Sequence, residues 1–598
     1  MDIGWNIIET YFKDNPDFLV NHHLTSYNDF FNKEIFNIFK EKNPIKIFKQ
    51  PITTIDNTRD FKLKCNLFFA GKNGDKIYYG KPIIYDENNS HYMFPNEARL
   101  RNMTYGFSIH IDVEIDFEII NDENILEKKT ITLDNIFLGR FPIMLNSDLC
   151  VLKSLAKDVK FNMGECRNDH GGYFIIDGKE KSIICQEKFA DNMLYIRDNY
   201  NEIYSHSADI RSVSEDASKP VRTTAIRIVE PSHKYANQQF VVIIPNVRKP
   251  IPLFILMRAL GVISDRKIIE FCLLDIDENS HLLELFMPSI HDANTIFARE
   301  VALKYIATFT KGKTVPHVLE ILSNYFLPHI GEDNFIDKAY FVGYMVNSLI
   351  KVFTKQDKPT DRDSFKFKRV ELTGKLIADL FKEYYTLQQK HIYLKIDKEY
   401  YYHEGIYQNN FTNLLLNNYQ EYFKERILEN GFKKAFKGNW GATEHTKKLG
   451  LVQDLNRLSF NSFMSQLRKV NLPLDSSAKV VGPRLLHGSQ WGIIDPVDTP
   501  DGGNVGLHKH LAISAIITDG YSKYHLIPLL RKLKMKFLQE SYPKEIYTLT
   551  KIIINGDWCG MTNSPNEIVN IMKFYKKIAV IPIYTSISWN IKEKTIYI

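Results

Sequence analysis

The sequence predicts a multidomain α+β protein. At 598 residues the chain is too long for a single hydrophobic core. Its apolar periodicity switches several times between the helical period and the strand period of two. Hydrophobic residues at 44%, aromatics at 13% and charged residues at 25% describe a globular chain rather than a disordered one. No apolar run reaches the roughly eighteen uncharged residues of a membrane span.

Taken in order, residues 1 to about 60 read as helical, with Phe30, Phe31, Phe36 and Phe39 spaced to leave one apolar face. The period then shortens. "KLKCNLFFAGKNGDKIYYGKPIIY" holds two β-rich runs around Asn73-Gly74, which predicts a hairpin because both turn positions tolerate positive φ. A second hairpin is predicted at "GGYFIIDGKEKSIIC", where Tyr173 to Ile176 and Ser182 to Cys185 flank Asp177-Gly178. Helices dominate from about 250 to 390, and Leu372, Leu376, Ile377, Leu380, Phe381 and Tyr384 form one packing stripe. The polar stretch "TKQDKPTDRDSFKFKRV", carrying Pro359, reads as a loop or domain crossing. Phe460, Phe463, Met464 and Leu467 predict a further helix, ended by "NLP" and presenting Arg468 and Lys469 at its C-terminal end. After 515 strand and helix alternate.

Six cysteines, Cys65, Cys150, Cys166, Cys185, Cys272 and Cys559, lie far apart with no Cys-x-x-Cys spacing, and they read as buried thiols rather than a zinc site or a disulfide framework. The formal charge of +6 is compatible with a polyanionic partner without requiring one. The N-terminus "MDIGWNIIETYFKDNPDF" carries acids where a signal peptide needs a basic and then apolar run, so an intracellular protein is expected, with no membrane partner.

The chemistry-bearing residues concentrate in "KVVGPRLLHGSQWGIIDPVDTPDGGNVGLHKHLAIS", Lys479 to Ser514. This stretch has no nucleophile elbow, no His-Glu-x-x-His and no phosphate loop. Asp498 and Asp501 stand three apart with Pro496 and Pro500 holding the backbone, so the carboxylates could share a metal or orient a basic group, and Asp-Gly-Gly is equally a plain turn. Arg468, Lys469, Lys479 and Arg484, with Gln466, put cations and an amide around a Pro/Gly-rich loop, a pattern that suits phosphate contact or, without a partner, a solvated loop. His487, His508 and His510 lack the accompanying Cys or Glu of a zinc site. "DIDEN" (275–279) reads as surface.

Eight collinear blocks resemble a known family. They are "FPNEARLRNMTY" (94–105), "LGRFPIMLNSDLC" (138–150), "GGYFIIDGKEKSIICQEKFA" (171–190), "PIPLFILMRALGVISDRKI" (250–268), "TDRDSFKFKRVELTG" (360–374), "GNWG" (438–441), "LGLVQDLNRLSFNSFMSQLRKVNLPLD" (449–475) and "GPRLLHGSQWGIIDPVDTPDGGNVGLHKHLA" (482–512). Together they are similar to the second-largest, β-type subunit of multisubunit DNA-directed RNA polymerases. The spelling is closest to versions from nucleocytoplasmic large DNA viruses and eukaryotes. The resemblance implies an N-terminal segment (1–19), a protrusion (20–188, resuming at 373–435), an inserted lobe (189–372), a fork (436–515) and the start of an external domain (516–598). It implies nucleic-acid contacts from Arg468, Lys469, Arg484, Lys479 and Gln466, supported by His487, Asp498, Asp501 and Asn504. Cellular members usually carry Glu where this chain has Asp498 and Asp501.

No catalytic residue and no bound metal or cofactor are expected on this chain, because in this family the metal-binding aspartates belong to the largest subunit, where Mg²⁺ is expected in the assembled enzyme. The expected partners are that largest subunit, a C-terminal half of the second-largest subunit if the gene is split, the DNA template and the RNA–DNA hybrid. The expected compartment is host cytoplasm or virion for a viral protein and the nucleus for a cellular one. The competing readings are a stand-alone nucleic-acid-binding protein and a non-functional truncated subunit.

Overall fold

The computed structural model describes residues 2–53, 59–86, 89–120, 126–216, 219–231, 238–408 and 410–598. They divide into two compact units, one of residues 1–188 and 368–517, the other of residues 189–367 and 518–598. Both contain helices and several sheets, the α+β class expected.

In the first unit helix Asp2–Asp14 is exposed, whereas helices Asn21–Asp29 and Ile35–Lys42, joined by the π-helical turn Phe30–Glu34, bury Tyr27, Phe30, Phe31, Ile35 and Phe39. Helix stops there, short of the predicted 60, because Ile45–Thr53 is a strand paired antiparallel with Arg59–Phe69, Ile45 opposite Leu67. That pairing opens a five-stranded sheet whose spine is Gly106–Ile120. The hairpin expected at Asn73-Gly74 does not form. The two runs lie end to end along one edge of the spine strand, Leu63–Phe69 against 113–119 and Ile77–Tyr79 against 109–111. A fifteen-residue partner is long enough to take both, so the turn joins two segments that share a neighbour instead of pairing with each other. At Asp177-Gly178 the prediction holds: Phe174 faces Lys181 and Ile176 faces Lys179, and φ is +48° and +77° at the two turn residues, the left-handed pair of a two-residue hairpin. Helix Thr373–Tyr402 buries the predicted stripe against this core.

In the second unit an antiparallel sheet ordered 194–197, 204–212, 222–229, 240–243, 251–252 packs with helices 253–259, 265–273, 299–307 and 335–353. Residues 518–598 carry their own four-stranded sheet and helix Pro565–Lys577, yet Leu538, Ile546, Ile553, Trp558 and Met561 belong to the same core as Leu256, Ile306 and Val346. Four of the six cysteines are buried as expected, but Cys166 is exposed and Cys559 only half-buried. No helix among the described residues is long and apolar enough to cross a membrane.

Candidate nucleic-acid interface

A four-stranded sheet gathers distant parts of the first unit: 368–371, 185–189, 469–471 and 508–510, in that order. Strand 469–471 runs parallel to 185–189, Val470 opposite Cys185, and antiparallel to 508–510, Lys469 opposite His510. On it the Glu187 carboxylate, 2% exposed, forms ion pairs of 2.8 Å with both Lys368 and Lys509, themselves 3% and 7% exposed. A carboxylate shared by two buried ammonium groups offsets the desolvation that each would otherwise suffer alone. Sequence reading missed Glu187 and Lys509. Their only local signal is a charge set inside an apolar strand-like run, as in "IICQEKF".

The helix predicted from Phe460 spans Phe460–Leu467 and begins with a capping box in which Ser459 and Ser462 each satisfy the other's backbone N–H. Phe463, Met464 and Leu467 are buried, whereas Phe460 is exposed. The predicted basic helix end is absent, since Arg468 is the C-cap and Lys469 already belongs to the next strand. Arg468 is also not presented outward. It is 6% exposed, and its guanidinium donates to the carbonyl oxygens of Leu19 (2.7 Å), Leu511 (3.3 Å) and Ala512. In this fold it clamps three backbone segments. Beside it, His23 Nε2 donates to the Leu467 carbonyl (2.6 Å) and Nδ1 accepts from the Thr373 hydroxyl (2.8 Å), while His22 Nε2 donates to the same carbonyl (3.2 Å). Burial holds His22 well below the usual histidine range and His23 down at about 4, with the positive charge of Arg468 acting in the same direction on both.

The loops that follow are fixed from within. Arg484 donates to the carbonyls of Gly503 (2.6 Å), Val505 (3.0 Å) and Ser476 (3.1 Å), tying the 475–484 loop to the 501–506 turn. Gly506 makes this possible, because its φ is +70° and a Cβ there would lie 2.3 Å from the Arg484 carbonyl oxygen. Thr499 Oγ1 donates to His508 O (2.9 Å) and accepts from Gly506 N (3.0 Å). Asp498 accepts from Ser465 Oγ (2.5 Å), and its backbone carbonyl accepts from His510 Nδ1 (2.8 Å). Asp495 N–H donates to His510 O (2.8 Å), and the Asp495 carboxylate accepts from Val497 N (2.9 Å) and Asp498 N (3.2 Å). Gln466 bonds Asn456 N and the Asp454 carbonyl, holding the preceding loop. His487 caps the turn 488–490 by accepting from Ser489 N (3.1 Å). Asp501 and Asn504 stand exposed at the ends of the turn 502–504.

What remains outward is therefore narrower than the sequence implied. Lys479 is exposed, and Lys469 is half-buried, its ammonium held below its ordinary value by burial with Asp498 pulling the other way. In the same stretch of chain Val481, Leu486, Trp491 and Val497 are 64%, 64%, 89% and 82% exposed. A further anchor that sequence reading missed is Arg457. It donates to Glu180 (2.8 and 3.0 Å), Asp169 (3.2 Å) and Tyr173 Oη (3.0 Å), while Arg99 donates to Glu180 and Glu165 (2.9 Å each) and to the same phenol (2.8 Å).

Among the described residues, the only grouping of three or more potential metal-donor side chains is His22, His23 and Cys185, with donor atoms within 4.8 Å. Both imidazoles donate to Leu467, Arg468 lies alongside, and burial pushes the Cys185 thiol up to about 12, so the set fits a hydrogen-bonded core better than a cation site. Asp498 and Asp501 belong to no such group.

Comparison with known proteins identifies the framework that carries these loops. The family described as RNA polymerase beta subunit matches residues 18–414, and RNA polymerase Rpb2, domain 3, matches residues 453–517. DNA-directed RNA polymerase II subunit RPB2 of Encephalitozoon cuniculi is 32% identical over 99% of this chain and 50% of its own length. The polymerase II subunit 2 of Arabidopsis thaliana is 32% identical over 95% of this chain and 48% of its own, and subunit Rpo2 of Saccharolobus solfataricus 30% identical over 95% and 47%. The chain spans about half the length of the curated relatives it matches. It belongs to the RNA polymerase beta subunit family and corresponds to the N-terminal half of the second-largest subunit.

Proposed function

We propose that this chain is a non-catalytic part of a DNA-dependent RNA polymerase, forming one jaw of the DNA cleft and the fork beside the downstream edge of the transcription bubble. On this reading residues 20–188 and 373–435 are the protrusion, 189–372 the lobe, 436–515 the fork, and 516–598 the start of an external domain. The observation that carries the reading is the loop assembly of residues 475–510. Arg484, Thr499 and Gly506 lock its backbone from inside, which leaves Lys479 and the half-buried Lys469 to meet phosphate. Gln466, His487, Asp498, Asp501 and Asn504 then act as supports that set loop shape. Bond formation by two Mg²⁺ ions falls to aspartates of the largest subunit.

The exposed Val481, Leu486, Trp491 and Val497 support a protein neighbour, since soluble monomers seldom leave large side chains so bare together. That neighbour is the remainder of the second-largest subunit, as a continuation of the chain or a separate polypeptide, together with the largest subunit. Transcription takes place in the nucleus for a cellular source and in host cytoplasm or virion for a viral one.

The test is affinity purification of this chain from its native source, followed by extension of a primed template with Mg²⁺ and nucleoside triphosphates. The complex is expected to contain a largest-subunit-like protein and to extend the primer, and a Lys469→Ala, Lys479→Ala complex to assemble but extend more slowly. A chain that elutes alone, or extends a primer by itself, would refute the proposal.

A further inference from the structure

The chain contains three Asn-Gly pairs: Asn73-Gly74, Asn430-Gly431 and Asn555-Gly556. Asparagine before glycine readily loses its side-chain amide, because glycine has no Cβ to keep its backbone nitrogen away from the preceding side-chain carbonyl. The reaction closes a five-membered ring, so the backbone must be free to swing the glycine nitrogen onto that carbon. In two of the pairs the fold removes this freedom. Asn430 lies inside helix Ile427–Phe436, where its N–H donates to the Arg426 carbonyl (2.9 Å) and a Cβ on Gly431 would lie 2.5 Å from the Tyr384 ring. Helical hydrogen bonds hold the peptide on both sides. Asn555 sits in the two-residue turn between strands Thr550–Ile554 and Asp557–Thr562, at φ +50° with Gly556 at +86°. Its N–H donates to Ile598 O (3.0 Å) and its side-chain amide to Tyr521 O (2.9 Å), and a Cβ on Gly556 would meet Asn192 O at 2.0 Å. Both the amide that would leave and the peptide that would attack are held in place.

Asn73 differs on each count. It is exposed, and among the described residues its side-chain amide makes no hydrogen bond. The strands on either side, Arg59–Phe69 and Ile77–Tyr79, pair with Gly106–Ile120 and not with each other, so no cross-strand ladder closes around the turn. The Gly74 N–H has one local bond, to the Gly71 carbonyl at 3.2 Å, the long end of the hydrogen-bond range. Firmer ties lie to either side: Lys72 pairs with Asp116 (2.7 Å), Lys76 N donates to Ala70 O (2.9 Å) and Lys76 Nζ pairs with Glu114 (2.7 Å). Asn73 is thus the loose middle of a segment fastened at its ends. Gly74, at φ +74°, rests on helix Ile35–Lys42, where a Cβ would lie 2.8 Å from Phe36 O, so the turn has little room for a longer main chain.

We propose that Asn73 is a deamidation site that converts in the folded chain, and that the isoaspartate formed there loosens the joint between strands Arg59–Phe69 and Ile77–Tyr79. The Gly74 nitrogen attacks Asn73 Cγ and gives up its proton. The N–Cγ bond forms, the Cγ–Nδ2 bond breaks, and ammonia leaves carrying that proton. Water then opens the cyclic imide at either carbonyl, its hydroxyl going to carbon and its hydrogen to nitrogen, to give aspartate or isoaspartate. Water is the only co-reactant. Both products place a new negative charge near Asp75, but only isoaspartate routes the main chain through an extra methylene. With Gly74 set against the helix, the added length must lift the turn, and the three-residue strand Ile77–Tyr79 is the shortest element it pulls on. The chemistry needs no partner chain and is independent of the polymerase reading.

The experiment ages the full chain in mildly alkaline buffer. Peptide mapping by mass spectrometry reads amide loss at each pair, and an isoaspartate-specific carboxyl methyltransferase labels the lengthened product. Asn73 is expected to convert, whereas Asn430 and Asn555 must open locally first and should each convert at least about tenfold more slowly. In chain unfolded by urea the three should convert at similar rates, which assigns the difference to the fold. Asn73→Gln keeps an amide but would need a six-membered ring, and should remove most of the methyltransferase label. Hydrogen exchange at 77–79 is expected to quicken in the aged parent and to stay at the fresh level in Asn73→Asp, which carries the charge without the methylene. Conversion of Asn73 in the folded chain no faster than that of Asn430 or Asn555, or a label undiminished by Asn73→Gln, would overturn the site. Unchanged exchange at 77–79 on ageing, or equal quickening in Asn73→Asp, would overturn the loosening.

Discussion

Replacing Glu187 by Gln keeps the side-chain volume and deletes one charge from the sheet that carries the 469–471 and 508–510 strands. The parent carboxylate is 2% exposed and meets Lys368 and Lys509 at 2.8 Å each. The substitution deprives both buried ammonium groups of the carboxylate they share. Removing one partner of a buried pair costs about 3–5 kcal/mol, far above the roughly 0–1 kcal/mol of a surface pair. The two lysines also face each other's charge once the acid is gone, which adds to that cost. At about 1.4 kcal/mol per tenfold change, opening of this sheet should become two to four orders of magnitude more frequent. Native-state hydrogen exchange of the amides in 185–189 and 469–471 reads this locally, which suits a chain of two units whose global unfolding is not one transition. The combined change Glu187→Leu, Lys368→Met, Lys509→Met supplies the control. With all three charges gone, exchange should return to within about 1–2 kcal/mol of the parent. Parent-like exchange in Glu187→Gln, or a triple variant as labile as the single one, would refute the account, because the loss would then lie in packing and not in charge.

Other consequences follow from the same contacts. Arg468→Met keeps an apolar stem but strips donors from the carbonyls of Leu19, Leu511 and Ala512, and should destabilise the first unit by about 2–4 kcal/mol, read as a lower urea midpoint. Gly506→Ala places a Cβ 2.3 Å from the Arg484 carbonyl at a φ of +70°, so cleavage within 475–506 under limited proteolysis should accelerate while the second unit's fragments stay unchanged. His23 is held down at about 4 in the fold against an ordinary value of 6.5, so the unfolded chain binds the extra proton. Its contribution is complete above pH 6.5 and is lost as pH falls towards 4, and His23→Gln should flatten the urea midpoint across that window.

The sequence by itself determined whatever depends on neighbours a few residues apart. Asp177-Gly178 closes its hairpin because the left-handed turn is a property of those two residues, and the 373–402 helix buries its predicted stripe because the spacing of Leu376, Ile377, Leu380, Phe381 and Tyr384 already defines a face. The family was legible too, since eight blocks in one order are a linear property of the chain. Only the tertiary structure decided where charges end up and which strands meet. Asn73-Gly74 has the same turn chemistry as Asp177-Gly178, yet the strands beside it take their hydrogen bonds from Gly106–Ile120, which arrives some thirty residues later and offers both an edge. Arg468 read as an outward cation because nothing near it in sequence could hold it. Its acceptors, Leu19 and Ala512, lie 449 and 44 residues away, and a guanidinium taken out of water must find such acceptors wherever the fold brings them. Glu187 was invisible for the same reason, as its partners come from residues 368 and 509. A charged side chain declares its sign in the sequence, but burial and long-range partners settle whether it faces a ligand or holds the chain to itself.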